Sequence, residues 1–406
     1  CRKEEGKLID SIKDSVWTFW YPNGQIKQEG AFKNNVKIGK WTKYYEDGKI
    51  EAIINYDSFA TYFFPNGKIQ MCGPMKNSKK NGIWTFFYES GDTAEITPFI
   101  NDLENGPTTQ WHKNKSQKMK GFYINGKLNG ITTWWYDNGK IEMIGKNIDG
   151  LQDSIWNFYY DNGQLGSTGN FKNGKLDGKW TYFYQTGQLW KTGYFSNGNK
   201  EGLWTTFYEN GQKLKEGQFH NNLMNGTWTT WWDNGQLMET GNYKDSLLTG
   251  KWVGFWKDGK PKYECTFTDN LQDGLSIIYH ENGKIKTKCF YSKGQRNGAY
   301  ASFDKTELPI EIGYYKNNLK DQKWQYFDMY GNIYRVENYK LGKLNGKVIS
   351  YYQNSKIKSI ENYKNNIKEG IYIFYDQDGS ILYKGEFKNG IKTKEYRNPK
   401  KNNNKL

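Results

Sequence analysis

The chain has 406 residues, of which 17% are aromatic, 45 are glycine and 8 are proline, and its formal net charge is +15. So many aromatic rings need burial, which excludes a disordered chain. The sequence contains no run of 18 apolar residues, so no transmembrane helix is predicted. Abundant glycine beside abundant aromatics favours short strands joined by tight turns. The lysines are spread evenly, which is typical of soluble strand edges and argues against nucleic-acid binding.

The chain begins with CRKEEGK. A mature chain that starts at cysteine resembles a bacterial lipoprotein, and this resemblance implies a lipid on Cys1 as the one covalent attachment, with no other cofactor. Lys3, Glu4 and Glu5 resemble the export signal that directs Bacteroidota lipoproteins to the outer face of the outer membrane. Several acyl chains give stable anchoring. The alternative is a chain cut at an arbitrary residue. We therefore expect residues 1–14 to be a lipid-anchored linker of an outer-membrane protein that faces the cell exterior.

An internal repeat with a period of 24 residues follows. GKWTYFYQTGQL at 178–189 returns as LWTTFYENGQKL and then as TWTTWWDNGQLM. Equal steps of this kind are the signature of a repeat architecture. We call the residue that aligns with Trp180 the anchor. The sequence predicts 16 anchors: Trp17, Trp41, Ala60, Trp84, Thr109, Thr132, Trp156, Trp180, Trp204, Trp228, Trp252, Ser276, Tyr300, Trp324, Val348 and Tyr372.

The spacing of the anchors divides the chain. Steps between early anchors range from 19 to 25 residues, so residues 15–130 are predicted to form less regular repeats. From Thr132 onward every step is 24 residues, so residues 131–395 are predicted to form regular repeats. Residues 396–406 are expected to be a flexible tail.

Each repeat reads as a β-hairpin. Trp180 to Tyr184 are strand formers, QTG at 185–187 is a turn, and the same turn reads DNG or ENG elsewhere. There Asn-Gly would supply the positive φ of a tight hairpin. Residues 188–195 form the return strand, and SNGNKEG at 196–202 is predicted to be a longer second turn. The predicted fold class is all-β: an elongated repeat ribbon, a solenoid-like antiparallel meander of about 16 β-hairpin units.

A glycine recurs thirteen residues after most anchors, at what we call the glycine position, and an aromatic residue follows two residues later, as in Gly193 and Phe195. A glycine inside a strand is unfavourable unless something needs its space. We therefore expect a Trp or Tyr ring of a neighbouring strand to lie over each of these glycines. Rings at constant offsets are expected to form a ladder along the sheet.

The pattern GKWTxYYxNGQLxxxGxYxNGKxxG resembles the variant MORN repeat of bacterial proteins, including those called YwqK-family antitoxins. The resemblance covers nearly the whole chain, and it departs where Ala60 and Thr109 replace Trp and at FDKTELPIE, where the turn glycine is lost. It implies an elongated β-sheet and a scaffold or binding platform, in some relatives with lipid association. The antitoxin label implies a toxin partner.

Chemistry-bearing residues are sparse. Cys265 and Cys289 lie 24 residues apart at glycine positions, about two strands from each other, which is too far for a disulfide. These two thiols and Cys72 are expected to be free and buried. His112, His220 and His280 are far apart in the repeat array, with His280 expected in solvent, and no metal-ligand spacing occurs. The sequence therefore predicts a protein that is not an enzyme and has no metal site.

The candidate binding residues are two aromatic pairs, Trp134–Trp135 and Trp231–Trp232, because neighbouring residues of a strand put one ring on each face. Three hypotheses follow. The first is a lipid-anchored scaffold or accessory subunit that binds outer-membrane or secreted proteins, with self-coverage of the rings as the structural alternative. The second is a glycan-binding surface protein that stacks these rings on sugars. The third is an antitoxin that neutralises a partner toxin.

Overall fold

A computed structural model describes residues 3–398, and residues 1–2 and 399–406 lie outside the described part. Within residues 3–398 the chain forms forty β-strands and no helix. The chain divides into two compact units, Cys1–Asn199 and Lys200–Leu406, which are described separately.

The first unit contains twenty strands, all short and joined in chain order. They are β1 (Glu4–Ile9), β2 (Ile12–Trp20), β3 (Ile26–Lys33), β4 (Val36–Tyr44), β5 (Ile50–Asn55), β6 (Phe59–Phe63), β7 (Ile69–Lys76), β8 (Lys79–Lys80), β9 (Gly82–Phe87), β10 (Thr93–Ile100), β11 (Leu103–Glu104), β12 (Gly106–Trp111), β13 (Gln117–Ile124), β14 (Lys127–Leu128), β15 (Gly130–Trp135), β16 (Ile141–Ile148), β17 (Leu151–Tyr159), β18 (Leu165–Lys172), β19 (Lys175–Phe183) and β20 (Leu189–Ser196).

The second unit has the same organisation. Its strands are β21 (Asn199–Phe207), β22 (Lys213–His220), β23 (Leu223–Trp231), β24 (Leu237–Lys244), β25 (Leu247–Phe255), β26 (Pro261–Thr268), β27 (Leu271–Gln272), β28 (Gly274–Tyr279), β29 (Ile285–Ser292), β30 (Gln295–Phe303), β31 (Pro309–Lys316), β32 (Leu319–Phe327), β33 (Ile333–Lys340), β34 (Lys343–Leu344), β35 (Gly346–Tyr351), β36 (Ile357–Lys364), β37 (Ile367–Lys368), β38 (Gly370–Tyr375), β39 (Ile381–Lys388) and β40 (Ile391–Arg397).

Within each unit every strand pairs antiparallel with its neighbours along the chain. Strand β19, for example, pairs with β18 and β20, and Trp180 lies opposite Gly169 on one side and Gly193 on the other. The predicted fold class, an all-β antiparallel meander of 24-residue hairpin repeats, is confirmed.

The repeats before residue 130 are more regular than predicted. The fifth anchor is Thr108 rather than Thr109, because Thr108 is fully buried and pairs with Gly121 as Trp180 pairs with Gly193. With this correction only the step from Trp41 to Ala60 departs from 24 residues. The shorter step joins two short strands, β5 and β6, at a turn over residues 56–58.

The predicted linker at residues 1–14 is also wrong for its described part. Glu4–Ile9 form strand β1, which pairs with β2 from Glu4 opposite Phe19 to Ile9 opposite Ile12. At the other end, β40 extends to Arg397, so two residues of the predicted tail belong to a strand.

The first turn of each repeat uses its glycine alone for the left-handed conformation. In the turn at 184–188, the Gly187 amide donates to Tyr184 O (2.9 Å), and the Tyr184 amide donates to Gln188 O (2.8 Å). Gly187 has a φ of +88°, and the residue before it, Thr186, is not in the left-handed region. The positive φ predicted for this turn is therefore supplied by the glycine alone.

The second turn is the tight one. Strand β18 ends at Lys172 and β19 begins at Lys175, with Asn173 and Gly174 at φ of +50° and +75° between them. Two successive residues of positive φ match the twist of the flanking strands. The prediction of a longer second turn at SNGNKEG is wrong. The last residues of this segment belong to the next strand, where they form part of a β-bulge.

Neighbouring repeats are tied at the edge formed by the first turns. The Tyr160 hydroxyl donates to Phe183 O (2.8 Å), and the Asn162 side-chain amide donates to Gln185 O (2.9 Å). The equivalent bonds recur with donors at Tyr21, Tyr45, Tyr88, Tyr136, Tyr208 and Tyr352 and at Asn23, Asn66, Asn114, Asn138, Asn210, Asn234, Asn282 and Asn354.

Candidate functional site

The sheet has one face that carries the anchors, which we call the tryptophan face. The Trp180 indole lies over Gly169 of the preceding strand, where a side chain would overlap the ring. The register shifts between Gly169 and Asn170 because Gly178 and Lys179 form a bulge. Beside this bulge the Trp180 indole N–H donates to the Asn170 carbonyl (2.9 Å). This confirms the prediction that a ring covers the glycine position.

Rings of successive strands also contact one another along the tryptophan face. Phe171 meets Trp180 edge to face, with centroids 5.1 Å apart, and meets Trp156 at 6.1 Å. Phe219–Trp228 and Tyr243–Trp252 repeat the 5.1 Å contact. The predicted ring ladder is therefore present, and each such pair contributes about 0.5–1.5 kcal/mol beyond burial.

Long side chains of the protein itself cover much of this ladder. The residue four positions before an anchor is often lysine, and its ammonium group lies over the ring. Lys37 Nζ is 4.1 Å from the Trp41 ring, and Lys320 Nζ is 3.9 Å from the Trp324 ring. The lysine stem shields apolar surface while the charge stays hydrated. The tryptophan face is thus largely a core built on one side of a single sheet.

The other face, which we call the open face, carries a continuous row of apolar residues in the first unit. The row runs across seven successive long strands and consists of the residue before each anchor and its cross-strand partner: Phe59, Pro74, Ile83, Pro98, Pro107, Phe122 and Ile131. We call these residues the apolar row. Ile83 and Ile131 are 61% and 63% exposed, and contiguous apolar exposure of this kind marks interaction surfaces.

Proline and glycine shape the apolar row. The Pro74 ring lies against the bulge glycine Gly82, and the Pro98 ring lies against Gly106, both of which have positive φ. Proline removes a ladder donor where the bulge already interrupts pairing. Lys40 precedes the apolar row on the sheet and Lys146 follows it, and both are exposed.

The same row in the second unit is mostly polar. It includes the exposed residues Gln218, Thr227, Asn242, Lys251, Lys323 and Lys347. Leu203 and Ile371 are exposed there too, at 49% and 59%, as are the cross-strand partners Leu275 and Phe290, at 38% and 44%, but polar residues separate this pair from Leu203 and Ile371. The apolar row therefore does not follow from the repeat itself, since the repeat leaves this position free to vary.

The two predicted aromatic pairs are half-buried, and within each pair the residues differ in surroundings. Trp134 packs on the tryptophan face against Trp156, with centroids 5.6 Å apart. Trp135 follows it in the strand and points to the open face. Trp231 lies under Lys213 (Nζ to ring 5.5 Å), and the Trp232 indole donates to Phe255 O (3.3 Å). A binding role for these four residues stays a prediction.

The predicted lipidation and export residues are only partly described. Cys1 lies outside the described residues, so its lipidation stays a prediction. Lys3 precedes β1, and its carbonyl accepts a bond from the Trp20 amide (3.1 Å). Glu4 and Glu5 belong to β1, and Glu4 pairs with Lys13 Nζ (2.6 Å). Their role in export is not tested by these contacts.

The predicted thiols are free, as expected: Cys265 and Cys289 are buried, and Cys72 is half-buried. Burial raises the pKa of Cys265 and Cys289, which keeps them as protonated, weakly reactive thiols.

His280 is not in solvent as predicted, because its ring Nε2 bonds Phe303 O (3.0 Å) where other repeats use tyrosine. His112 does the same with Trp135 O (2.8 Å).

His220 does not occupy the tyrosine position that His112 and His280 hold. Its Nδ1 lies 2.9 Å from Glu201 Oε1, and this hydrogen bond raises the pKa of the imidazole.

Across residues 3–398, no group of three or more His, Cys, Asp or Glu side chains is arranged to hold a metal ion. That same part of the chain contains no helix of the length and apolarity that crossing a membrane requires.

These features define the class of the protein: a β-hairpin repeat protein with a ring-lined core face. A family model described as the MORN repeat variant matches twelve segments that together cover well over half of the chain, so the chain belongs to this family. The matched residues are 13–34, 37–58, 80–101, 128–146, 152–173, 176–197, 200–221, 224–245, 248–269, 272–293, 344–365 and 368–389. The unmatched stretches include the repeats anchored at Ala60, Thr108 and Trp324.

Solved structures give only distant likeness. A crystal structure of TcdB2-TccC3 aligns with 96% of this chain at 9% identity, and a Tc holotoxin pore from Photorhabdus luminescens aligns with 92% at 11% identity, both with a TM-score of 0.15. The chain spans about a quarter of the length of those chains, 25% and 23%. A search of curated proteins gives no significant match.

Proposed function

We propose that this MORN repeat protein is a non-enzymatic scaffold that binds a protein partner through the apolar row of its first unit. MORN repeat proteins are generally scaffolds of this kind. The observation that carries the proposal is the run of seven apolar residues on the open face, of which five are exposed and Pro74 and Pro98 are half-buried. The equivalent row of the second unit is mostly polar, so an apolar run of this length is a property of these residues and not of the fold.

The surroundings of the apolar row indicate the chemistry of the partner. Its core is aliphatic and aromatic, through Ile83, Phe122 and Ile131, while Lys40 and Lys146 stand at its two ends. An apolar centre with a charged rim is the usual anatomy of a protein interface. The partner expected from this pattern is a protein with an apolar patch flanked by acidic residues.

Site-directed photocrosslinking tests the proposal in cells that produce the full chain. A photoreactive amino acid at Ile83 is expected to crosslink one protein of defined mass, and Ile131→Asp in the same chain should abolish the product. Both positions are exposed, so folding should change by no more than about 0.5 kcal/mol. The matched control places the photoreactive residue at Leu203, the same row in the second unit.

A product from Leu203 equal to that from Ile83 would contradict the proposal, as would a product from Ile83 that survives Ile131→Asp. A product of twice the chain mass would assign the apolar row to a contact between two copies. In each case the scaffold would need another binding surface.

The finer predictions are tested separately. Lipid attachment at Cys1 and the outer-membrane location predict incorporation of labelled palmitate that Cys1→Ser removes. The antitoxin hypothesis predicts that the crosslinked partner is toxic when produced alone. The glycan hypothesis predicts saturable binding of a glycan that changes at Trp135 or Trp231 weaken.

A further inference from the structure

In the second unit the ring ladder is interrupted at two anchors that carry no ring, Val348 and Ser276. Cys265 occupies the glycine position opposite Ser276, and the two side chains meet at 3.2 Å between Sγ and Oγ. A cysteine–serine pair fills less space than the glycine–tryptophan pair of neighbouring repeats. A pocket of about 410 Å³ lies beside this pair, which we call the gap pocket. Its lining includes Glu239, Tyr243, Leu248, Tyr263, Phe267 and Ile278.

One wall of the gap pocket is a ring without the indole partner that its counterparts in the preceding repeats have. Tyr243 contacts Trp252 at 5.1 Å and Phe219 contacts Trp228 at the same distance. Phe267 holds the equivalent position in the next repeat, but Ser276 stands where its tryptophan would be. The ring of Tyr263 extends the wall over Gly254, which has no side chain to hold it away.

The backbone beside the gap pocket has a carbonyl, Thr266 O, equivalent to the one that accepts the indole N–H in regular repeats. In the preceding repeat the Trp252 indole N–H donates to Asn242 O (3.1 Å), and Thr266 O is the equivalent carbonyl at the gap. Thr266 O accepts the Asp273 amide (2.9 Å). Pro74 O shows that such a carbonyl accepts two donors, the Asn81 amide (3.0 Å) and the Trp84 indole (2.9 Å).

The base and rim of the gap pocket suit a flat ring. Cys265 prevents a ring from resting directly on the backbone, as Trp180 rests on Gly169, but its sulfur offers a favourable contact to an aromatic edge or face. Glu239 is the one carboxylate in the lining, and it accepts the Tyr263 hydroxyl (2.6 Å). Its other oxygen is an acceptor for a polar group on the ligand.

We propose that the gap pocket binds an indole ring, which completes the interrupted ladder from outside the chain. The ring comes either from a tryptophan side chain of a protein partner or from a free indole compound. For the protein source the inference rests on the proposed scaffold function. The gap pocket lies in the second unit and on the tryptophan face, whereas the apolar row lies in the first unit and on the open face, so either proposal can fail alone.

The test is saturation-transfer NMR on the full chain with N-acetyl-tryptophanamide, and with free indole as a second probe. The closing variant is Cys265→Gly with Ser276→Trp, which rebuilds a regular slot and should weaken binding by at least about tenfold. The matched control is Cys289→Gly with Tyr300→Trp, which rebuilds the slot of the next repeat and leaves the gap pocket open. Thermal melts verify that both variants fold.

Wild-type chain with labelled methyl groups gives an independent reading if the closing variant does not fold. Addition of N-acetyl-tryptophanamide should shift the methyl resonances of Leu248 and Ile278 and leave that of Leu203 unchanged. Binding of the amide but not of free indole assigns a peptide source, and the reverse assigns a small molecule. No binding of either probe, or equal binding by the closing variant, would overturn the proposal.

Discussion

At the scale of single residues, the core depends on complementary sizes at two positions that face each other. Where the anchor is tryptophan, the facing residue eleven positions earlier is glycine, as in Gly169 and Trp180. At two anchors that are small, the facing residue is larger than glycine: Ile54 faces Ala60, and Cys265 faces Ser276. Close packing tolerates either arrangement but not two large side chains.

Gly169→Ala should therefore lower the free energy of unfolding by about 2 kcal/mol, because the new methyl group overlaps the Trp180 ring. The matched change is Gly121→Ala, where the facing anchor is Thr132 and its nearest methyl carbon would be 2.9 Å away. We expect a clearly smaller loss there, measured by urea unfolding. Equal losses at the two sites would contradict the packing argument.

Glu337 is a buried carboxylate at a glycine position. Burial by itself raises the pKa of Glu337, but hydrogen bonds from Tyr339, Arg335 and Tyr326 outweigh it and leave the pKa below its usual value. Arg335 Nε and the Tyr339 hydroxyl each lie 2.6 Å from the carboxylate. Because the folded pKa is depressed, this stabilisation is present above the unfolded pKa of about 4.3 and is lost as the pH falls below it.

Glu337→Gln should consequently lower the free energy of unfolding by about 2 kcal/mol at pH 7, since Arg335 loses its buried partner. The difference from wild type should shrink as the pH falls from about 5 to about 3, because protonation removes the same charge from the wild type. Chemical unfolding at several pH values measures this. A difference that stays constant over that range would contradict it.

At the scale of elements, the first turn of each repeat requires one residue in the left-handed region. Glycine usually holds this position, but at FDKTELPIE it is Glu307, with a φ of +76°. Asp304 compensates, because its Oδ1 accepts the Thr306 and Leu308 amides at 2.7 and 3.0 Å. The turn is therefore kept although the turn glycine is lost.

Glu307→Gly is expected to raise the free energy of unfolding by about 1 kcal/mol, because glycine adopts this conformation without a Cβ clash. The reverse change at the equivalent turn, Gly283→Ala, should destabilise by a similar amount, since its φ is +84°. Thermal unfolding of the two variants measures both effects. A loss of stability in Glu307→Gly would show that the glutamate side chain stabilises the turn in another way.

At the scale of the whole molecule, stability should be a sum over neighbouring repeats. Each strand within a unit pairs only with the next strand or, across a two-residue strand, with the next but one, so few contacts connect distant residues. Repeat proteins of this kind gain stability from each repeat and its nearest-neighbour interfaces. The first unit, Cys1–Asn199, contains its own core clusters around Trp41, Trp84 and Trp156.

A fragment that ends at Asn199 should therefore fold alone. Its circular dichroism spectrum is expected to be that of a β-sheet, and its amide resonances should be well dispersed with a cooperative thermal transition. If this fragment aggregates or stays unfolded, the first unit needs the second for its stability.

The sequence by itself determined the period, the antiparallel hairpins and the ring over the glycine position, because these follow from local propensity and from strand alternation. It could not identify Thr108 as the fifth anchor, since Thr108 and Thr109 differ only in which face of the sheet they occupy. Only the tertiary structure decided which turn is tight, which apolar residues are left exposed on the open face, and where a missing ring opens a pocket. These features depend on bulges and on volumes shared between strands, and no single segment of the sequence contains them.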